Sequence, residues 1–360
     1  MMKKYSVGIL GATGMVGQRF VALLEAHPWF EVAAVAASSR SAGKPYAEAV
    51  RDRWAQNGAV PKPVREMRVY EVEKDQKTIA DECDFVFSAL SMDKSKIREL
   101  ENSYAGMELP VVSNNSAHRW TPDVPMVLPE VNPDHLDVID AQRSRNGWRR
   151  GCIAVKPNCS IQSYVPVLEA WKGFHPGRVI VATYQAISGA GKTFDTWPEM
   201  TDNVIPYIGG EESKSELEPM KIWGAVRDGE IHAADSPVIS ASCVRVPVTD
   251  GHMAVVHVDF ESGPSKADLI DAIQNFKNPL AGLDLPSAPD PFLIYFEEDD
   301  RPQTRLDREA GNGMAITVGR LREDTVLDWK FVALSHNTAR GAAGGAVLTA
   351  ELMAKKGILG

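Results

Sequence analysis

Residues 5–17 read YSVGILGATGMVG, and this stretch decides the fold class. Residues 5–10 have the composition of a buried strand, and the apolar positions from Val16 onward predict a helix directly after the glycines. Residues 31–37 then predict a second strand. Glycines at such a turn let backbone N–H groups approach a pyrophosphate, which the N-terminus of the helix also attracts. The stretch therefore predicts a βαβ unit that binds a dinucleotide.

The glycines of this turn are Gly8, Gly11, Gly14 and Gly17, a spacing that differs from the more common G-x-G-x-x-G. Their alternative role is close packing of the helix against the sheet, without a cofactor. Because the pattern lies between a strand and a helix, we prefer the dinucleotide site. The residues that we expect to contact the cofactor here are Gly11, Thr13, Gly14, Met15 and Val16.

The end of the second strand indicates which dinucleotide binds. An NAD site usually places Asp or Glu there, where the carboxylate accepts a hydrogen bond from the ribose 2′-OH. Residues 37–44 contain no carboxylate, but they offer Ser38, Ser39, Arg40 and Lys44. Hydroxyl groups and cations suit a 2′-phosphate, although a solvated basic loop would have the same composition. We therefore predict NADP (NADPH) rather than NAD.

Further strands follow in the first half of the chain, at residues 67–72, 85–90 and 111–113. Ser88 and Leu90 lie at the exit of the strand 85–90, where the nicotinamide half of a dinucleotide would pass. The first half is therefore predicted to be an α/β domain of the Rossmann type.

The pattern changes in the second half of the chain. Long stretches rich in β-branched residues occur at 179–187, 239–248 and 253–260. Only a short turn separates the last two, which predicts a mostly antiparallel sheet. Residues 279–303 are rich in proline and acidic side chains and are interpreted as a long loop, and a last helix is predicted over residues 340–356.

Bulk properties exclude several classes of function. A net charge of −9 gives no general attraction to nucleic acid or to an anionic membrane, so we expect neither as a partner. The 4 cysteines are too sparse for a disulfide scaffold, and neither they nor the 8 histidines have metal-ligand spacing. No segment has the pattern of a signal peptide or a membrane span, so we expect a cytoplasmic protein without a metal.

A second informative stretch is K-P-N-C-S at residues 156–160. An extended apolar run precedes it and a helical pattern follows, so Cys159 should lie where a strand ends and a helix begins. The helix end would lower the pKa of the thiol toward the reactive thiolate. The alternative is a buried cysteine that behaves as a small apolar side chain. Pro166 requires either that the helix begin near Tyr164 or that it kink.

A thiol beside a dinucleotide fold suggests aldehyde oxidation through a thioester. This chemistry needs a base, and His252, in the turn after Asp250 and Gly251, is the best candidate, with His118 as second choice. A histidine in a turn is otherwise simply solvated. Arg245 would point a rigid donor fork at a carboxylate, or it would form a surface salt bridge.

A resemblance to a known family rests on several motifs in order. They are G-A-T-G-M-V-G at 11–17, S-R-S-A-G-K at 39–44, P-N-C-S at 157–160, Q-A-I-S-G-A-G at 185–191 and R-V-P-V-T-D-G-H at 245–252. Together they resemble the aspartate-β-semialdehyde dehydrogenases, and D-G-H at 250–252 is similar to the archaeal and fungal branch. The resemblance extends over essentially the whole chain.

The resemblance implies a role for each matching residue. Cys159 matches the nucleophile, His252 the acid/base, and Gln185 the glutamine that orients the bound substrate. Arg245 matches the arginine that grips the substrate's α-carboxylate, and Glu211 matches the acid that holds its amino group.

Other positions are implied less specifically. Glu218 and Lys221 repeat the spacing of Glu211 and Lys214, so the second pair could take the amino-group role instead. The residues that the resemblance places near the phosphate are Arg119, Lys214 and Asn158. It places Asn337 near the nicotinamide, and Ser188 and Gly189 are expected to bind the cofactor. Lys156 stands where many family members have asparagine, a departure to which the sequence assigns no role.

The implied reaction is the NADPH-dependent reductive dephosphorylation of L-4-aspartyl phosphate to L-aspartate 4-semialdehyde and phosphate, through a cysteine thioester. It is a step toward lysine, methionine and threonine. The alternatives are a CoA-thioester reductase of the same fold, such as a malonyl-CoA reductase, and a non-catalytic dinucleotide-binding regulator.

The resemblance also implies the domain organisation. Residues 1–157, completed by the C-terminal helix 337–360, would form the Rossmann-type NADP-binding domain of an α/β protein. Residues 158–336 would form an α+β catalytic and dimerisation domain with a mostly antiparallel sheet. Members of the family pair through the second domain's sheet, which implies a homodimer or homotetramer.

Overall fold

The computed structural model describes residues 4–56 and 58–360. Within these residues the strands form two large sheets and a small two-stranded ribbon. The strands are β1 Tyr5–Leu10, β2 Phe30–Ala37, β3 Val69–Glu71, β4 Phe85–Ser88, β5 Val111–Ser113, β6 Ile153–Val155, β7 Pro176–Gln185, β8 Ala225–Arg227, β9 Glu230–His232, β10 Val238–Arg245, β11 His252–Phe260, β12 Leu293–Tyr295, β13 Ile316–Glu323 and β14 Trp329–Ser335.

Helices of varied length connect the strands of the described chain. They are α1 Met15–Leu24, α2 Tyr46–Val50, α3 Lys62–Arg65, α4 Gln76–Glu82, α5 Lys94–Gly106, α6 Ile139–Asn146, α7 Val165–Ala170, α8 Glu211–Ile222, α9 Lys266–Gln274, α10 Thr304–Asp307, α11 Ala310–Gly313 and α12 Gly344–Lys355. Pro166 lies in the first turn of α7, so the helix begins after Tyr164 rather than kinking.

The first sheet confirms the Rossmann-type prediction. Its six strands have the order β3-β2-β1-β4-β5-β6, and every pairing is parallel. This order reverses between β1 and β4, and in such sheets the crevice at the carboxyl ends of the strands at that point holds the ligand. β4 is buried along its whole length, as expected for a strand with helices on both faces.

Glycines set the shape of the turn between β1 and α1. Gly11 has a φ of +83°, and a Cβ atom there would lie 2.4 Å from the carbonyl oxygen of Ala89. A Cβ atom at Gly17 would lie 2.2 Å from the carbonyl oxygen of Gly11, so both positions require glycine for packing. Gly14, in contrast, is exposed at the start of α1, and a Cβ atom there would meet only Gly11, at 3.5 Å. The helix end is therefore open.

The second sheet has the order β10-β7-β11-β14-β13-β12 and is mixed. The three pairings of β7 with β11, β11 with β14 and β13 with β14 are antiparallel, so the sheet is mostly antiparallel as predicted. The outer pairings, β10 with β7 and β12 with β13, are parallel.

The short turn after β10 does not make a hairpin, contrary to the sequence-based interpretation. β10 and β11 are separated in the sheet by β7, which pairs with both. The connecting residues cross the end of β7: Val246 donates to the carbonyl of Gln185, and Val248 accepts from Ile187. These hydrogen bonds carry the chain past β7 before it turns back, so His252 begins a central strand rather than an exposed turn.

The C-terminal quarter also differs in detail from the prediction. The expected loop 279–303 contains β12, whose three residues are too short to produce a detectable periodicity. The predicted helix 340–356 begins with an irregular π-type segment, Ala339–Ala343, before α12. α12 packs against the first sheet, since Ala346 and Val347 share a core with Val7 and Ile9. The domain boundaries near residues 157 and 336 stay a prediction.

One face of the second sheet is exposed. Along β7 and β10, buried residues alternate with exposed ones, and the large exposed apolar side chains are Ile180 (48%), Tyr184 (39%) and Val238 (66%). These large apolar side chains are interspersed with the exposed polar residues Arg178, Ser240 and Ser242.

In the described part of the chain, no helix combines the length and apolar character needed to cross a bilayer. The cytoplasmic location stays a prediction.

Candidate active site

Cys159 lies in the turn that follows β6. Asn158 caps this turn, because its Oδ1 accepts from the backbone N–H of Ser160 (2.7 Å) and from the Ser160 hydroxyl (2.8 Å). The turn continues as a 3₁₀ segment, Ser160–Gln162, rather than as a long helix. Cys159 is partly exposed, whereas the thiols Cys83, Cys152 and Cys243 are buried. The nucleophile candidate is therefore the least buried of the four cysteines.

The predicted lowering of the Cys159 pKa is wrong for the free protein. Burial raises the pKa of this thiol, and the carboxylate of Glu211 adds to the rise. A three-residue 3₁₀ segment aligns too few peptide dipoles to offset that loss of hydration. The cations that oppose the rise in pKa are Lys156, Arg119 and Arg245, in decreasing order of effect.

The C-terminal segment packs directly on the thiol-bearing turn. A Cβ atom at Gly341 would lie 2.8 Å from Cβ of Cys159 and 3.3 Å from its Cα, so only glycine permits this approach. Arg340, the preceding residue, forms a buried, bidentate ion pair with Glu130. Sequence reasoning assigned no role to either residue, because they are 210 positions apart.

His252 is fully buried at the start of β11. Its Nδ1 accepts a hydrogen bond of 3.1 Å from the backbone N–H of Ala186. In neutral imidazole the proton is then on Nε2, which has no partner among residues 4–56 and 58–360. Burial, followed by the charge of Arg245, lowers the pKa of His252 to about 3. His252 is therefore neutral and presents an N–H group from Nε2.

Arg245 ends β10 and lies beside His252. Both side chains reach Gly189, where a Cβ atom would lie 2.9 Å from an Arg245 terminal nitrogen and 3.0 Å from Nε2 of His252. Arg245 is 5% exposed and donates to the carbonyl of Ala186 at 2.7 Å. Across the residues that the structure describes, no carboxylate forms an ion pair with it, which contradicts the surface salt bridge alternative. A buried guanidinium without a carboxylate is suited to bind one.

Glu211, the first residue of α8, connects several of the predicted substrate residues. Its carboxylate accepts from Lys214 Nζ at 2.6 Å and from Asn158 Nδ2 at 3.1 Å. Gln185, at the end of β7, donates to it at 3.4 Å. The negative charge of Glu211 therefore lies among Gln185, Asn158 and Lys214.

The alternative pair, Glu218 and Lys221, has structural partners instead. Arg119 forms an ion pair of 2.8 Å with Glu218, which also accepts from the backbone N–H of Asn158 at 2.7 Å. Lys221 donates to three backbone carbonyls, including that of Arg119 at 2.7 Å. The geometry therefore favours Glu211 over Glu218 as the amino-group ligand.

The predicted cofactor residues differ in exposure. Gly14 is exposed at the N-terminus of α1, and Ser38, Ser39 and Arg40 are exposed after β2. Asn337 links Ser188 to the residue before His252, since its Nδ2 donates to the Ser188 hydroxyl (2.8 Å) and its Oδ1 accepts from the Gly251 N–H (2.8 Å). Asn337 thereby fixes the backbone next to His252.

The strand exits that were expected to face the nicotinamide are buried. Ser88 is fully buried and its hydroxyl accepts from Asn115 Nδ2 at 2.9 Å, while Leu90 is 6% exposed. The carboxyl group of Glu101, which sequence reasoning missed, accepts hydrogen bonds from Ser113 (2.6 Å) and Asn115 (3.0 Å). Since Asn115 also donates to Ser88, these bonds link the chain at the ends of β4 and β5.

No group of three or more His, Cys, Asp and Glu side chains in the described ranges is arranged to hold a metal ion.

Both halves of the chain match models of known protein families. Residues 6–139 match the model of the semialdehyde dehydrogenase NAD binding domain, and residues 166–340 match that of the semialdehyde dehydrogenase dimerisation domain. The chain is 46% identical to the aspartate-semialdehyde dehydrogenase of Archaeoglobus fulgidus, covering 99% of this chain and 100% of that one. It is 44% identical to the aspartate-semialdehyde dehydrogenase of Schizosaccharomyces pombe, in an alignment that covers 98% of this chain and 99% of that one.

Solved structures agree with these relatives. The aspartate semialdehyde dehydrogenase of Candida albicans, solved with NADP, is 39% identical and superimposes with a TM-score of 0.88 over 99% of this chain and 100% of that one. A Vibrio cholerae aspartate semialdehyde dehydrogenase II is 26% identical, with a TM-score of 0.75 over 98% of each chain.

Proposed function

The chain belongs to the aspartate-semialdehyde dehydrogenase family, and we propose that it converts L-4-aspartyl phosphate and NADPH to L-aspartate 4-semialdehyde, phosphate and NADP. The observation that carries this function is that Cys159, the least buried of the four cysteines, lies in the field of a buried guanidinium, Arg245, that has no carboxylate partner in the described residues. The product is the aldehyde from which lysine, methionine and threonine are made.

Opposite charges in the pocket fit the amino acid part of the substrate. Arg245 would hold the α-carboxylate and Glu211 the α-ammonium group, which together recognise a free amino acid. Lys214 would contact the phosphate together with Asn158, since Lys214 is partly exposed. Arg119 is already paired with Glu218, so it would act on the phosphate mainly through its positive charge rather than through a direct contact.

The thiolate of Cys159 would attack the acyl carbon, form a thioester and release phosphate. NADPH, when bound, supplies the hydride that reduces this thioester to the aldehyde level. Nε2 of His252 would donate a hydrogen bond to the carbonyl oxygen as negative charge develops there. Gln185 would orient the acyl group that is bound to Cys159. Collapse of the thiohemiacetal would then release the semialdehyde and restore the thiolate.

The relatives described above are all aspartate-semialdehyde dehydrogenases, which favours this activity over a CoA-thioester reductase. A non-catalytic regulator would have no need for a cysteine in the turn after β6 together with a buried guanidinium that lacks a carboxylate partner in the described residues.

The exposed residues after β1 and β2 fit NADP. The N-terminus of α1 offers backbone N–H groups without a side-chain cap and without an acidic residue in its first turn, which suits a pyrophosphate. Ser38, Ser39 and Arg40 would hold the 2′-phosphate, because all are exposed and none is an acid. Asn337, Ser188 and Gly189 would lie near the nicotinamide end.

The exposed face of the second sheet supports an oligomer. The match to a dimerisation domain covers this sheet, and its apolar face includes Ile180, Tyr184 and Val238. We propose that the face pairs with a second copy, which gives a homodimer or a homotetramer built from such dimers.

The activity can be measured by NADPH oxidation with aspartyl phosphate, and in reverse by NADP reduction with the semialdehyde. We expect the reverse reaction to require phosphate or arsenate, because the thioester needs an oxyanion acceptor. Cys159→Ala should abolish both directions, whereas the control Cys83→Ala, which removes a buried thiol, should keep them. Phosphate-independent reduction that instead requires CoA would contradict the proposed function.

Arg40→Ala should weaken NADPH binding and leave NADH binding unchanged. Loss of a charge-assisted contact to the 2′-phosphate costs about 1.5–3 kcal/mol, which is roughly a tenfold to hundredfold rise in Kd for NADPH. The control is Lys62→Ala, which removes an exposed cation elsewhere in the domain. Fluorescence titration with both dinucleotides measures the effect, and an equal loss for NADH and NADPH would refute the 2′-phosphate contact.

Ile180→Asp should dissociate the oligomer, because it puts a charge into the proposed apolar interface. The control is Val326→Asp, at an 80% exposed position in the turn between β13 and β14. Sedimentation velocity should show the wild type and the Val326 variant as oligomers and the Ile180 variant as a monomer. An Ile180 variant that sediments like the wild type would place the interface elsewhere.

A further inference from the structure

Helix α8 presents one face to the thiol-bearing turn after β6. Glu211, Ser215 and Glu218 are four and three residues apart, which places them along one side of the helix, and all three are buried. The Glu211 carboxylate accepts from Asn158 Nδ2 at 3.1 Å, and the Ser215 hydroxyl lies 3.2 Å from that of Ser160. The helix therefore contacts the residues on both sides of the thiol.

A proline inside α8 provides a further contact with the same segment. Pro219 has no N–H group, so the carbonyl of Ser215 lacks its usual partner within the helix. The hydroxyl of Tyr164, which is fully buried, donates to that carbonyl at 2.7 Å. Because Tyr164 follows the turn directly and precedes α7, this hydrogen bond holds α8 against the end of the turn as well as its start.

The carboxylate of Glu218 accepts from two different donors at once. One oxygen accepts from the backbone N–H of Asn158 at 2.7 Å, and the other forms an ion pair of 2.8 Å with Arg119. Only 1% of Glu218 is exposed. Arg119 also donates to the carbonyls of Lys156 (3.1 Å) and Asn114 (3.3 Å). One side chain therefore fixes both the backbone beside the thiol and the arginine that the proposed reaction places near phosphate.

The ion pair also determines how strongly Arg119 can attract an anion. A buried guanidinium that loses its carboxylate is left with an uncompensated charge and needs another anion. In this pocket the other anion would be phosphate. An arginine with its full charge would bind the phosphate product as well as the phosphoryl group of the substrate, which would slow product release without favouring the transition state.

We propose that Glu218 is a positioning residue that holds the backbone before Cys159 in place and offsets the charge of Arg119, so that phosphate binds weakly enough to leave. The inference rests on the proposed function, in which phosphate is released when the thioester forms. It gives a role in the reaction to a glutamate that contacts neither the thiol nor, in the proposed arrangement, the amino acid part of the substrate.

The test is phosphate binding to the full chain without substrate or cofactor, measured as protection of Cys159 from alkylation by iodoacetamide with peptide mass spectrometry. Glu218→Gln keeps the size of the side chain, but its single amide oxygen cannot accept from both donors as a carboxylate does. About tenfold less phosphate should protect this variant than the wild type, because a charge-assisted contact becomes available to the anion.

The same variant should be slower in turnover. With the semialdehyde, NADP and saturating phosphate, kcat of Glu218→Gln should fall at least tenfold, because the backbone beside Cys159 loses a fixed contact. A site that was merely loosened would also turn over slowly, but it would bind phosphate less tightly. Should Glu218→Gln not fold, Glu218→Asp keeps the charge but shortens the reach, and it should change both quantities in the same directions by a smaller factor.

Glu216→Gln is the matched control, since Glu216 is on the same helix but accepts from the backbone N–H of Ala241 in β10 at 3.1 Å. It should leave both quantities unchanged. Unchanged or weaker phosphate protection in the Glu218 variants, an unchanged kcat, an equal effect of Glu216→Gln, or no protection by phosphate at all would overturn the proposal. Tighter phosphate protection in Glu218→Gln of a protein that has no turnover would instead refute the proposed reaction and leave the charge offset at Arg119 standing.

Discussion

The active site depends on how closely the C-terminal segment approaches the turn after β6. Gly341 lies where any side chain would collide with Cys159, and Gly345 lies equally close to Lys156. The same chain end carries Asn337, which fixes the backbone beside His252. The contact therefore joins the thiol at the edge of the first sheet to the imidazole at the start of a central strand of the second. Core packing of α12 against the first sheet holds this arrangement in place.

Charge pairing explains how an acidic protein can bind an anionic substrate. With a net charge of −9, the chain attracts anions only where cations are gathered and left uncompensated. Arg119 and Arg340 are each paired with a buried glutamate. Arg245 and Lys156 stay without a carboxylate in the described residues. In the proposed reaction, Arg245 is the cation that binds the substrate's carboxylate.

The sequence predicted the features that depend on local patterns. The glycines from Gly8 to Gly17, between a strand and a helix, predicted the βαβ unit, and the structure adds that Gly11 and Gly17 serve packing while Gly14 stays open. The motifs that carry Cys159, Gln185, Arg245 and His252 predicted residues that the fold brings to the ends of β6, β7, β10 and β11. The roles of these residues stay proposals, because no ligand contact tests them.

Features that depend on tertiary context could not be predicted. The turn between β10 and β11 looked like a hairpin, but its hydrogen bonds to the end of β7 direct the chain across that strand. The pKa of Cys159 was predicted from a helix end, whereas its value depends on burial that only the folded chain reveals. Lys156 was assigned no role, because nothing in the sequence shows that it is buried and packed against Gly345.

The central claim, that the sulfur of Cys159 forms a covalent bond with the acyl group, can be tested most directly by trapping the thioester. The protein is mixed with aspartyl phosphate in the absence of NADPH, quenched in acid and analysed by intact-mass and peptide mass spectrometry. The account predicts one added aspartyl group per chain, on the peptide that contains Cys159. An enzyme that turns over but shows no such adduct, or carries the aspartyl group on another residue, would contradict it.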